Sequence, residues 1–307
     1  MKKDINFLEL FDSITVKELN ERINYYRNYI SIRNLSEEKI KNEIEKIFTV
    51  EMKNEKYSFF LNDDILTQPN QIENSYRIRK FEKEDYRCIE KMKFKSVISK
   101  EDVLCVPDNL TNKYGRLNRP GKSVLYLSKE IQNAVYETRV KYNEFFFLTL
   151  FKNKKQLRIS QVHNISYHNE LTELQNAKRL LMNGFLHNEF IKYVAPGREY
   201  EYKSTLIIYE NYFKHPLIDA FCYPSIATAT KRGYNLCVQR DKIESNLDIV
   251  MTFVCKLLPP ERDNEFNLEI YLEGILDNHN EFIFFPQGSN EIKKTIKNYE
   301  VVKHSLM

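Results

Sequence analysis

Glycine is scarce in this chain: seven in 307 residues, at positions 115, 121, 184, 197, 233, 274 and 288. No three fall within six residues, so the G-x-G-x-x-G turn that brings a backbone up to a pyrophosphate is absent. A Rossmann-type dinucleotide binder is thereby disfavoured. The five cysteines (88, 105, 222, 237 and 255) include no C-x-x-C pair and are odd in number. Neither a disulfide framework nor a structural zinc site is expected. The six histidines form no H-E-x-x-H pattern, and His163 and His168 stand five apart in an expected loop without an Asp partner, so no metal is expected. No run approaches ~18 uncharged apolar residues, which predicts no membrane span. The opening stretch carries Asp4, Glu9 and Asp12 and no apolar run of signal-peptide length. A reducing cytoplasm is the expected setting.

What is present is globular. With 42% hydrophobic and 29% charged residues the chain can bury a sizeable core, and its length suits two domains or one with appendages. The net charge of +4 is too small to mark a whole-protein polyanion binder. Its distribution is uneven: residues 71–122 carry 13 Lys/Arg against 8 Asp/Glu, whereas residues 1–70 carry 11 against 13. The basic stretch reads either as a local anion site or as a solvated face.

Residues 14–48 read as helical, with Ser36 as an N-cap before Glu37 and Glu38. The polar segment 62–75 reads as a linker. Beyond it, short apolar runs of four to seven residues alternate with turns: 124–127, 145–151 and 157–162 are strand candidates, followed by helices over about 170–193 and 200–213 and strands near 220–223, 247–258 and 266–273. Between the first two strands, S-K-E-I-Q-N-A-V-Y-E-T-R predicts a helix capped by Ser128, with Ile131, Ala134, Val135 and Thr138 on one face and Glu137 at its border. The expected class is α+β: a mixed, short-stranded sheet core with flanking helices and no regular βαβ repeat. The expected parts are a helical N-terminal appendage (1–70), a central domain (71–260) and a β-rich C-terminal extension (261–307).

Gly115 to Ser123 (G-R-L-N-R-P-G-K-S) approaches a P-loop, but has five residues between its glycines where four are needed, and a strand-like V-L-Y-L follows it where a helix is required. Read with its neighbours, the segment has another meaning. Tyr76-Arg77-Ile78-Arg79, then Gly115-Arg116-Leu117-Asn118 leading through Leu125-Tyr126 to Ala134-Val135-Tyr136-Glu137, then Tyr223-Pro224-Ser225, then Asn235-Leu236 follow one another in order. This series resembles the RES domain family, named for its Arg, Glu and Ser, over roughly residues 75–260.

The resemblance implies a fold like that of ADP-ribosylating toxins and an action on NAD+. The nicotinamide–ribose bond is cut with water or inorganic phosphate as acceptor, or ADP-ribose is passed to a protein. NAD+ is then a substrate, and no prosthetic group is implied. Many such domains are toxins held by an antitoxin protein. Carried across, Arg77 (with Arg79 as the alternative register), Glu137 and Ser225 match the catalytic set, and Tyr126, Arg116 and Asn235 the substrate-binding set. These residue types suit the chemistry: a carboxylate can stabilise an oxocarbenium-like state, and arginine forks onto phosphate. Ser225 lacks a nearby His–Asp pair in sequence and does not read as a hydrolase nucleophile. A rival of another class is a non-catalytic domain binding a nucleotide or nucleic acid through residues 71–122; nucleic acid is otherwise not an expected partner, nor is a membrane. The flanks lie beyond the resemblance, and pocket occlusion, self-association into a homo-oligomer and sensing of a trigger are all open roles for them.

Overall fold

The structure is a computed structural model describing residues 7–52, 54–59, 74–162, 167–225, 233–260 and 266–296. Nearly all of the expected linker, and His163, lie outside the described residues. The strands are β1 (Thr49–Met52), β2 (Glu55–Ser58), β3 (Asn74–Lys80), β4 (Val124–Ser128), β5 (Phe145–Asn153), β6 (Ile159–Gln161), β7 (Ala220–Pro224), β8 (Tyr234–Gln239), β9 (Leu247–Leu258), β10 (Asn267–Leu276) and β11 (Phe282–Pro286). β1 and β2 form a hairpin of their own, and the other nine belong to one mixed sheet, so the class is α+β as expected. β9 spans Leu247–Leu258 as expected, while β5 and β10 run to 9 and 10 residues, slightly longer than the runs read for them. The chain divides into two compact units that interleave in sequence: residues 1–68, 108–122 and 158–224, and residues 69–107, 123–157 and 225–307. Among the described residues no helix is long and apolar enough to cross a membrane.

The second unit holds seven strands in the order β11-β10-β9-β5-β3-β4-β8, antiparallel at each pairing. The F-F-F-L-T-L-F run of β5 is buried on both faces, which explains why it lacks the polar alternation of a half-exposed strand. On one face Phe146, Leu148 and Leu150 join Tyr76 and Ile78 of β3 and Ile131, Ala134 and Val135 of the helix Ile131–Thr138. On the other, Phe147 packs with Phe94, Val97, Val103, Val254 and Phe284. One polar rung crosses that second face, where the Thr149 and Thr252 hydroxyls meet at 3.0 Å.

The first unit is mainly helical: Val16–Tyr29, Glu37–Phe48, Glu173–Ile191 and Tyr202–Ile208, with the β1–β2 hairpin and the parallel pair β6–β7. Ser36 caps its helix as expected, accepting from the Lys39 N–H at 3.3 Å. The stretch read as a helix over 200–213 is composite: a 3-10 turn, then Tyr202–Ile208, then a π-helical turn Tyr209–Phe213. Aromatic edges tie the N-terminal helices to the rest of this unit. Tyr26 and Phe48 both meet the Phe185 ring, at 5.4 and 5.8 Å between centroids, and Arg119 of the Gly115–Ser123 turn forms ion pairs with Glu37 and Glu210.

Candidate functional site

Strand register decides which side chains meet. Ser128 sits opposite Tyr76 on β3 and Asn235 on β8, and Tyr126 sits opposite Cys237. Registered partners and alternate positions share a face. Tyr76 packs against the helix Ile131–Thr138. Tyr126, Ser128 and Asn235 therefore face the side of the sheet on which that helix lies, and Glu137 stands at the helix's last turn. Arg139 ends the helix in a left-handed conformation, φ 53°.

Two donors then converge on one carboxylate oxygen. Ser225 Oγ donates to Glu137 Oε1 at 2.6 Å, and Asn235 Nδ2 donates to the same oxygen at 2.7 Å. Asn235 is itself oriented, because its Oδ1 accepts from Ser128 Oγ at 2.9 Å. Ser225 is anchored through its backbone, its N–H donating to the Gly233 carbonyl at 2.7 Å. Ser225, Asn235 and Ser128 are buried while Glu137 is exposed. Among the described residues no group bonds Oε2, so one oxygen is fixed and the other is open. A carboxylate held in this way can orient a hydroxyl or stabilise a developing positive charge. Ser225 Oγ donates a hydrogen bond to Glu137 and so helps to orient the carboxylate.

The expected cap at Ser128 is corrected. Ser128 is the last residue of β4, because its pairing with Asn235 extends the strand, and the helix begins three residues later with Glu130 as its N-cap. Its hydroxyl supports Asn235, a role the sequence reading missed. The signal was the two-residue spacing from Tyr126, which puts both on one face. Asn133 was missed as well. It lies one helical turn before Glu137, fully buried, against Gly233.

The arginines are placed elsewhere. Arg77 and Arg79 alternate with Tyr76 and Ile78 along β3 and so point to the opposite face from the Glu137 helix. Arg77 donates to the Val103 carbonyl at 2.9 Å and Arg79 to that of Asp102 at 3.0 Å, with Glu82 3.4 Å from Arg79. Arg77 has no carboxylate partner among the described residues. Its burial, with Arg79 beside it, lowers its pKa to about 10, which leaves it cationic at neutral pH. Arg116 belongs to the first unit. Its guanidinium lies over the Tyr202 ring at 5.1 Å, bonds the Phe190 carbonyl and reaches that of Lys192 at 3.1 Å, closing the end of the helix Glu173–Ile191. The structure thus joins Glu137, Ser225 and Asn235 directly and sets Tyr126 on their side of the sheet. It does not bring Arg77, Arg79 or Arg116 into that hydrogen-bonded group.

No curated protein matches the chain. Among protein families, the RES domain matches residues 107–252, a stretch that includes Arg116, Tyr126, Glu137, Ser225 and Asn235 and begins beyond Arg77 and Arg79. Domains of this family are generally catalytic, with a toxin-like, NAD-related activity. The carboxylate held by Ser225 and Asn235 lies inside the matched stretch, and residues 107–252 of this chain are a RES domain.

Proposed function

We propose that this chain is an NAD+-consuming toxin or defence effector that breaks the nicotinamide–ribose bond with water or inorganic phosphate as acceptor. The observation that carries the reading is the Glu137 carboxylate, with Oε1 held by two donors and Oε2 open. Loss of a neutral nicotinamide leaves positive charge on the ribose, as in glycoside hydrolysis. A pre-oriented carboxylate stabilises that charge without having to reorganise as it forms. The open oxygen takes a ribose hydroxyl or directs the incoming acceptor. Tyr126 offers a ring and a hydroxyl on the same side of the sheet. Arg77, which has no carboxylate partner among the described residues, is the proposed holder of a phosphate group of NAD+ or of the acceptor phosphate, from the face of β3 away from Glu137.

The test is incubation of purified protein with NAD+, with and without phosphate, following nicotinamide together with ADP-ribose or its 1″-phosphate. The expected result is nicotinamide release, abolished by Glu137→Gln. Absence of turnover under both conditions overturns the reading. Label from NAD+ that ends on a protein band replaces the small acceptor with a protein one. Expression in cells gives the second readout: growth arrest with the wild type and none with Glu137→Gln.

A further inference from the structure

Asn133 is fully buried, and among the described residues neither its Nδ2 nor its Oδ1 has a hydrogen-bond partner. An amide shut away from water without partners costs stability, so hydrogen bonding does not account for it. Its shape does. A Cβ built on Gly233 would fall inside the Asn133 carboxamide, with Nδ2, Oδ1 and Cγ as its three nearest atoms. The amide therefore occupies the space beside Gly233 that any other residue's side chain would need. Gly233 is the residue whose carbonyl receives the Ser225 N–H, and Asn235 follows two positions later. Both side chains that fix Glu137 thus hang on backbone set next to Gly233, and Asn133 is one turn away from Glu137 on the same helix.

We propose that Asn133 is a positioning residue of this site: its carboxamide seats Gly233, and through it aims Ser225 and Asn235 at Glu137. The catalytic part of this inference rests on the NAD+-consuming reading. Glycine has the freest backbone of any residue, so the seat must come from a neighbour. When the amide is removed, Gly233 gains room, the Ser225 N–H bond to its carbonyl opens more often, and the two donors on Oε1 lose alignment.

The test uses the full chain with Asn133→Ala and Asn133→Leu. Asn133→Ala is expected to speed exchange of the Ser225 amide hydrogen about tenfold and to lower kcat between about ten- and a hundredfold, the scale of a catalytic group moved by about 1 Å. KM for NAD+ and the thermal midpoint stay at or above wild-type values. Asn133→Leu keeps a forked side chain of similar size without polar atoms, and is expected to hold kcat within about threefold of wild type. Unchanged Ser225 exchange in Asn133→Ala overturns the proposal. So does a raised KM with unchanged kcat, which would put the amide on the substrate, and so does a thermal midpoint that falls in step with kcat. Loss of activity in Asn133→Leu matching that in Asn133→Ala also overturns it, because the amide atoms and not their shape would then matter. Should the wild type fail to consume NAD+, the functional reading falls, while Ser225 exchange still decides whether Asn133 seats Gly233.

Discussion

Gly233→Ala is expected to disable the site through a collision and not through the backbone. Gly233 does not occupy the left-handed region that favours glycine, so alanine can adopt its conformation. What alanine cannot do is share space with Asn133: its Cβ would lie far inside the 3.4 Å at which ordinary contact begins. Clearing that overlap takes a shift of roughly 1 Å or more, and a displacement of about that size at a catalytic group costs on the order of a hundredfold in rate. Asn133 is fully buried, so the shift is expected to fall in part on residues 233–235 and hence on the Ser225 and Asn235 bonds to Glu137. Overpacking of this kind costs about 1–3 kcal/mol. Against it stands a gain of about 0.4–1 kcal/mol from the smaller freedom of an unfolded chain that has lost a glycine. The assay is a double-mutant cycle with Asn133→Ala, read by urea unfolding and by nicotinamide release. Alone, Gly233→Ala should be destabilised and nearly inactive. Paired with Asn133→Ala, where the space has been vacated, it should be at least as stable as Asn133→Ala alone, with a coupling energy above about 1 kcal/mol. A Gly233→Ala single variant with wild-type stability and turnover, or a cycle whose two mutations simply add, refutes the reasoning.

Ser225→Ala and Asn235→Ala should each lower kcat/KM about ten- to a hundredfold, the value of a charge-assisted hydrogen bond of about 1.5–3 kcal/mol; because both act on Oε1, the double variant measured by the same kinetics should fall short of the product. Arg116→Ala should lower the thermal midpoint while leaving KM for NAD+ unchanged, since its donors close a helix end in the first unit. Arg77→Ala should raise KM for NAD+, or for phosphate where phosphate is the acceptor, and leave the circular dichroism spectrum intact. Burial raises the Glu189 carboxyl above its ordinary value, against the Ser204 hydroxyl bond at 2.8 Å and the Lys192, Arg27 and Arg116 charges that pull it down. The folded state then holds this proton where the unfolded state has lost it, so wild-type stability should fall as pH rises from the ordinary carboxylate value through the raised one. Urea unfolding of Glu189→Gln across the same pH range should lack that decline.

Much of the local structure was legible because its causes are local. Ser36 and the acidic turn behind it announced a helix start, and the apolar positions 131, 134 and 135 announced the buried face of the helix that carries Glu137. The ordered motifs likewise named Glu137, Ser225 and Asn235. What they could not convey was that one oxygen atom serves as acceptor for two donors 88 and 98 residues away in sequence. That fact depends on the register of β4 against β8 and on the bond from the Ser225 N–H to the Gly233 carbonyl. Ser128 was misread for the same reason: a serine before a helix has the look of a cap, and only the partner strand shows that it belongs to β4.

The arginines show the limit most clearly. Arg77 and Glu137 are both polar residues inside matching motifs, and order along the chain gives them equal standing. In the sheet, the parity of β3 separates them. Tyr76 faces the Glu137 helix, so Arg77 faces the other way, toward Val103. A one-residue change of register would have exchanged the two, and no property of either residue alone fixes that register. It is fixed by the apolar demands of both faces together, with Tyr76 and Ile78 meeting Phe146, Leu148 and Leu150 on one side and Phe147 with Val254 on the other. The arrangement around Glu137 thus follows from core packing. Sheet alternation aims Asn235 toward the Glu137 helix and Arg77 away from it, so an anion bound by Arg77 lies on the other face of β3.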